Sequence, residues 1–232
     1  MEKITQEELD EQLMKLIENV FEPTDWVDED GDYLLYIYNK DISGLSFNLL
    51  RKANELFSQI CFYGCNMTNV DLSGVMIEGF NIVDSITDGL NLSGAMIRYG
   101  TFAGLGFNGV NWEYAQLYES YFDGCDFSNA NLSSIEPTGS RFVDCVFDDA
   151  DMSYATIREP NGNYGGLTGV EELENCSFKN VDFTYASFYE VDDILIKNCD
   201  FSGANFDNAD MRNAELGLFD GCDLSNAILN EE

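Results

Sequence analysis

The 232-residue chain has no histidine, three prolines, two tryptophans and only 11 lysines and arginines. Without histidine it lacks the commonest general base, the commonest metal ligand, and every Ser-His or Cys-His nucleophile pair. A conventional hydrolase is disfavoured on that ground. The few cations stand against 43 Asp and Glu, giving a formal net charge of −32. Such a chain is repelled by phosphates, so direct binding to DNA or RNA is disfavoured as well. Long apolar runs are missing too: the stretch Tyr33 to Tyr38 is far too short to span a bilayer. The start, Met1-Glu-Lys-Ile-Thr-Gln-Glu-Glu8, lacks the basic-then-apolar layout of a signal peptide. These absences predict a soluble cytoplasmic protein with no membrane contact. What is present suffices for a folded body, since 45% hydrophobic and 13% aromatic residues exceed the content of a disordered acidic tail.

The organising feature is a five-residue period. Apolar residues recur at Phe62, Met67, Leu72, Ile77 and Ile82, and again from Leu92 through Ile97, Phe102, Phe107, Trp112, Leu117, Phe122, Phe127 and Leu132. The frame resumes with Phe142, Phe147, Met152 and Ile157, missing only at Thr87 and Pro137. Two residues before most centres stands a small or modestly apolar residue (Cys65, Val70, Ala95, Ala115, Cys125, Ala130, Cys145). One residue before, Asp or Asn is frequent, as at Asp71, Asn91, Asn111, Asp126, Asn131 and Asp151. Neither a helical nor a strand period produces this pattern.

The units Ala130-Asn-Leu-Ser-Ser, Ala204-Asn-Phe-Asp-Asn, Ala209-Asp-Met-Arg-Asn and Cys222-Asp-Leu-Ser-Asn resemble the pentapeptide-repeat family over roughly residues 60 to 230. The resemblance implies an all-β fold, a right-handed quadrilateral β-helix with one pentapeptide per side and twenty residues per coil. About eight coils would span 61–232, preceded by a small α/β N-terminal cap over 1–60. The centre and the residue two before it would point inward. The cysteine spacings agree with that coil: Cys65, Cys125 and Cys145 stand whole coils apart, and Cys176, Cys199 and Cys222 follow when every insertion is placed at one corner. Four interior columns result. The first is Met67, Phe107, Phe127, Phe147, Phe178, Phe201, Leu224; the second Leu72, Leu92, Trp112, Leu132, Met152, Phe183, Phe206, Leu229. The third is Ile77, Ile97, Leu117, Ile157, Phe188, Met211; the fourth Phe62, Ile82, Phe102, Phe122, Phe142, Leu173, Ile196, Phe219. Thr87 and Pro137 should be local irregularities, since proline donates no ladder hydrogen bond.

Upstream, Thr5-x-x-Glu8 is a capping box, and Leu9, Leu13, Leu16, Ile17 and Val20 form a helical stripe, predicting a helix over about 5–21. A strand is expected at about 33–38. Residues 48 to 57 suit a helix or a first coil equally, because Ile42, Phe47 and Phe57 also fall in frame. This block either covers the exposed edge of the first coil or serves as a partner-binding arm. A loop insertion over about 158–172, with Pro160-Asn-Gly-Asn-Tyr-Gly-Gly166, is either a tolerated excursion or a contact loop that includes Tyr164. The last coil, Ala227–Glu232, is shielded either by its terminal acids or by a second copy end to end, as a homodimer.

Three further motifs fail. Gly104-Leu-Gly106-Phe-Asn-Gly109 matches a dinucleotide fingerprint but sits inside the repeat frame with no βαβ unit, so its glycines read as turn residues. Asp28-x-Asp30-x-Asp32 has Tyr33 where a calcium loop needs glycine. Cys61-x-x-x-Cys65 has no second ligand pair. No catalytic, cofactor or metal site is expected.

The charge remains. Residues 62–232 carry 29 acidic side chains against 6 basic ones. Spread over nearly eight coils at about 4.8 Å each, that is about 0.6 charge per Å, close to duplex DNA at about one per 1.7 Å. The Asp/Asn slot supplies only Asp71, Asp126, Asp151, Asp182, Asp200, Asp210 and Asp223 of those acids, so the repeat alone does not account for them. In this register Asp126, Asp148, Asp149, Asp151, Asp182, Asp200, Asp207 and Asp223 fall on the first and second sides, with only Lys179 against them; these and Tyr164 are the candidate partner-binding residues. The resemblance to quinolone-resistance members implies a DNA mimic that occupies the DNA-binding surface of a type II topoisomerase. The alternative is a structural or interaction scaffold without that partner.

Overall fold

A computed structural model describes residues 1–17, 35–54, 56–157, 170–189 and 196–230. The expected turn at Asp28–Asp32, the end of the first helix beyond residue 17, and Tyr164 with most of the 158–172 loop lie outside the described residues.

The chain winds as a four-sided parallel β-solenoid. The fourth side is an eight-stranded parallel sheet running from Leu35–Tyr38 through Ile60–Tyr63, Asn81–Val83, Thr101–Ala103, Tyr121–Asp123, Arg141–Val143 and Glu172–Glu174 to Ile196–Lys197. Its register stacks Ile37, Phe62, Ile82, Phe102, Phe122, Phe142, Leu173 and Ile196 in one column. The third side is a five-stranded sheet that ends at Glu136–Thr138, where Pro137 pairs with Leu117. Pro137 has no N–H to pass on; the next rung is held by Thr156 N donating to Ile135 O at 3.2 Å, and strand pairing stops there. Thr87 stays in the first column, buried, and its hydroxyl donates to Gly106 O at 2.5 Å. In adjoining rungs the equivalent carbonyl takes a main-chain N–H, as with Met67 N to Ile86 O. Both irregularities therefore fall where the frame misses.

The first and second sides are built differently. Each rung there is a single bridge followed by a tight turn, for example Asp126↔Val146↔Ser177↔Asp200 and Asn131↔Asp151↔Asp182↔Asn205. The cause is local. The Asp or Asn before each centre accepts, through Oδ1, the N–H two residues on: Ser128 N to Asp126, Ser133 N to Asn131, Ser153 N to Asp151, all near 3 Å. On those rungs this side-chain mimic of a turn bends the chain directly after the bridge, and Val146 and Ser177 make the same single bridge without it. The other two sides present Gln116, Tyr118, Tyr121 and Thr101, residues that suit an extended ladder.

The columns begin before residue 61. Ile42, Phe47 and Phe57 occupy the feet of the first three, through Asp41↔Asn66, Ser46↔Asp71 and Phe57↔Ile77. The open alternative for residues 48–57 resolves into both: helix Asn48–Ala53 (α2 below, the second helix) lies within the first coil, and the chain rejoins the ladder at Phe57. The first helix, α1 (Gln6–Ile17), carries the Thr5/Glu8 box, with Thr5 N donating to Glu8 Oε2 at 2.7 Å and Glu8 N to Thr5 Oγ1 at 3.2 Å. Gln6 imitates a strand against this lowest coil: its amide donates to Ser46 O at 2.7 Å and accepts from Ser46 N at 2.8 Å. Ile4 N bonds Asp41 O beside it, so the unpaired edge is covered.

At the far end the register expected from the cysteines shifts. Asp210 pairs with Ile228, and Asn208 N bonds Asn226 O. Leu224 therefore sits over Phe206 and Leu229 over Met211, each one side beyond its expected column. Phe219 does not continue the fourth column. It ends a 3₁₀ turn, Leu216–Phe219, and packs on Phe188, Phe201 and Phe206 with centroids 5.5, 5.0 and 5.4 Å away. A large ring in that place plugs the open lumen, which shortens the path round the final coil.

Inside, Phe107, Phe127, Phe147, Phe178 and Phe201 stack with successive centroids 5.1, 4.8, 4.7 and 4.9 Å apart. Each buried ring contributes about 1.5–3 kcal/mol. The narrow remainder of the lumen is filled by residues two before each centre, such as Ala95, Ala115, Cys125 and Ala130, all buried. Small side chains are common there because both inward sets share one tube, and Phe80, Leu90, Leu105 and Ile135 show that some rungs also admit a large one.

Candidate functional site

The acidic surface is made by the turn geometry. On the first side stand Asp126 and Asp200 before their centres, with Asp148 and Asp149 after Phe147; on the second stand Asp151, Asp182, Asp207 and Asp223. The shift of the last coil moves Asp223 from the first side, where it was expected, to the second. All eight still occupy those two adjacent sides. Tyr164, grouped with them by sequence, lies outside the described residues.

Each of these carboxylates has a local partner. Asp148 Oδ1 accepts from Ser177 Oγ at 2.5 Å and from Lys179 N at 3.0 Å, one rung up. Asp149 takes the amide of Asn180 at 3.1 Å, and Asp207 that of Asn226 at 2.9 Å. Asp182 accepts Thr184 N at 2.9 Å, the Thr184 hydroxyl, and the Asn205 amide at 3.3 Å. Asp200 and Asp223 accept Ser202 N and Ser225 N at 2.9 and 3.0 Å. Those N–H donors hold both carboxyls below the ordinary aspartate range, at Asp200 with help from the Lys179 ammonium 3.3 Å away. The turns thus fix the carboxylates in ranks along the axis and leave their negative charge facing outward.

Between the rungs of Asp126 and Asp207, Lys179 is the one cation on these two sides among the described residues. The third side carries Glu78, Glu119, Glu136 and Asp210 against Arg98 and Arg212. Arg212 forks onto Asp210 at 2.7 and 2.9 Å, and Arg98 lies over the Tyr118 ring. The fourth carries Asp84, Asp123, Asp144, Glu172 and Glu174 against Arg141 and Lys197, which pair with Glu171 and Glu172, each at 2.5 Å. Cations and acids are thus mixed on the sheet sides, whereas the turn sides hold Arg51 against Asp71 near the start and Lys179 against Asp200 among the described residues.

Sequence reasoning missed one feature of this surface, an exposed aromatic file at the corner after the second side. Tyr154 and Tyr185 stack at 5.1 Å, and Tyr114 stands two rungs below. All three are in left-handed backbone conformation with φ near +60°. Asp or Asn three residues earlier, at Asn111, Asp151 and Asp182, was the signal available. Among the described residues no cluster of His, Cys, Asp or Glu is arranged to hold a metal ion. Gly104 and Gly109 are corner residues with φ of +62° and +65°, as read from the sequence, whereas Gly106 is not a turn residue but bridges Asp126 in the ladder.

Among the described residues no helix is long and apolar enough to cross a membrane. No curated protein matches the chain. Solved structures resemble it at low identity. A trypsin-treated variant of QnrB1, a plasmid-mediated fluoroquinolone resistance protein, aligns at 18% identity and TM-score 0.47 over 84% of this chain and 92% of its own. HetL, a pentapeptide repeat protein involved in heterocyst differentiation regulation from the cyanobacterium Nostoc sp. Strain PCC 7120, aligns at 13% and 0.38 over 77% and 90%. The sequence family of pentapeptide repeats matches in eight copies over residues 102–135 and 196–217. Those copies lie within the solenoid described above, so residues 102–135 and 196–217 are pentapeptide repeats.

Proposed function

We propose that this is a non-catalytic, acidic binding protein of the cytoplasm whose first and second sides imitate the charged flank of duplex DNA and occupy the basic DNA-binding surface of a type II topoisomerase. One observation carries the reading: the carboxylates from Asp126 to Asp223 stand in ranks on two adjacent sides with Lys179 as the lone cation among the described residues between Asp126 and Asp207. The rank spacing is that of β-rungs, about 4.8 Å, so the linear charge density approaches that of DNA. Their turns hold these side chains in place before any partner arrives, which lowers the ordering cost of association.

The test is DNA supercoiling by purified gyrase with increasing amounts of this protein, with and without a quinolone. Inhibition or quinolone protection that weakens as salt rises is the expected result. Neither effect at low salt would remove the proposal.

A scaffold role is the second reading, and the Asx turns favour it, because they account for the slot carboxylates without any partner. A pull-down returning a protein with no DNA-binding surface would support that reading.

A further inference from the structure

The solenoid contains a column of thiols that the charge-based reading does not use. The bridges Asp126↔Val146↔Ser177↔Asp200 place the residues before them, Cys125, Cys145, Cys176 and Cys199, on four successive rungs. They are axial neighbours in sequence, Cys125 below Cys145, Cys145 below Cys176 and Cys176 below Cys199. Each sulfur also lies against a main-chain carbonyl of the preceding rung: Phe102, Phe122, Phe142 and Leu173, at 3.4–3.6 Å. All seven cysteines are free.

The column is closed at one end and open at the other. Cys125, Cys145 and Cys176 are buried, whereas Cys199 is half-buried. The shift in the last coil is the reason. Had the register continued, Cys222 would cover Cys199; instead its thiol lies against Phe201 O at 3.3 Å, on the next side. Cys199 is therefore the terminal rung, reachable by a small oxidant, with Cys176 directly beneath it. In-register rungs stand about 4.8 Å apart, inside the Cα separation of about 4.4–6.8 Å that a disulfide spans.

We propose that Cys199 and Cys176 form a peroxide-driven disulfide that staples the last two full coils together. Hydrogen peroxide transfers one oxygen to the Cys199 sulfur, giving a sulfenic acid and releasing water. The Cys176 sulfur then attacks the Cys199 sulfur, the S–O bond breaks, and the departing hydroxide takes up the Cys176 proton as a second water. Two thiols are oxidised by two electrons in all, and one peroxide is reduced to two waters.

The experiment treats the purified full chain with hydrogen peroxide, blocks remaining thiols, and digests it with trypsin without reductant. Cleavage after Lys179, Lys197 and Arg212 puts Cys176, Cys199 and Cys222 on separate peptides. A linked Cys176–Cys199 pair, lighter than its parts by two hydrogens and lost in Cys199→Ser but kept in Cys222→Ser, is expected. Serine is tolerated in this column, because Ser85 occupies it and accepts Cys65 N at 3.0 Å. In Cys176→Ser the sulfenic acid at Cys199 should persist and be trapped by dimedone. A cross-link through Cys222, or no cross-link with Cys199 unreacted in the parent and untrapped in Cys176→Ser, would overturn the proposal.

Discussion

Phe127 and Phe147 lie one rung apart, with ring centroids separated by 4.8 Å and planes within 2° of parallel. The spacing equals that of hydrogen-bonded strands, so the backbone ladder and the aromatic column impose the same repeat. Phe178 continues it at 4.7 Å although 31 positions rather than 20 separate it from Phe147.

Replacing Phe147 by Ala removes one ring from the middle of that column. The rungs on either side are held by main-chain bonds and cannot close the gap, so a loss of about 3–5 kcal/mol is expected. Chemical denaturation measures it. A loss below about 1 kcal/mol would mean that the rings do not support one another.

The corners separate two kinds of glycine. At Gly89, φ is +66° and an added Cβ would come within 2.3 Å of Asn69 Oδ1. At Gly104, φ is +62° but the space is open, with Asp84 one rung below. On the same corner Asn175 donates to Asp144 at 3.0 Å. Gly104→Asn should therefore be neutral or stabilising by up to about 1 kcal/mol, and Gly89→Ala should cost more than about 1 kcal/mol. Thermal melts of the two variants decide this, and equal losses would refute the corner geometry.

Asp200 ties charge to stability. Its folded-state pKa is lowered, first by Ser202 N–H and also by Lys179. The stabilisation is therefore present above the ordinary aspartate value of about 3.9 and lost as pH falls through the depressed folded value. Asn at this position keeps the turn, as Asn131 does with Ser133, but does not titrate. The melting temperature of the parent relative to Asp200→Asn should fall as the solution is acidified below about pH 4. A difference constant from neutral to acidic pH would contradict the assignment.

Most of this architecture was legible because each side chain has one job per rung. The five-residue period gave the columns, and cysteine spacing located the corner that absorbs the insertions. The last coil was misjudged for the same reason: Cys222 continues the spacing, but Phe219 turns into the lumen and shortens the coil, a packing event that periodicity does not encode. The start was ambiguous because α2 replaces a side while Phe47 and Phe57 keep the frame. The acidic sides were readable through the Asp/Asn slot, whereas the stacking of Tyr154 on Tyr185 depends on left-handed corners that a spacing rule does not show.

Self-repulsion sets a further expectation. With a net charge of −32 and carboxylates ranked along two sides, raising salt from about 10 to 150 mM should raise the melting temperature by screening. A fall over that range would contradict the charge layout.

The sharpest test is competition with duplex DNA for purified gyrase at low salt, using two charge-reduced forms. One carries Asp126→Asn, Asp151→Asn, Asp182→Asn and Asp200→Asn on the turn sides; the other carries Glu78→Gln, Asp84→Asn, Asp123→Asn and Glu136→Gln on the sheet sides. Both lose four charges. The account predicts that the first set abolishes displacement of DNA and the second leaves most of it. Equal effects of the two sets, or no displacement by the parent protein, would contradict it.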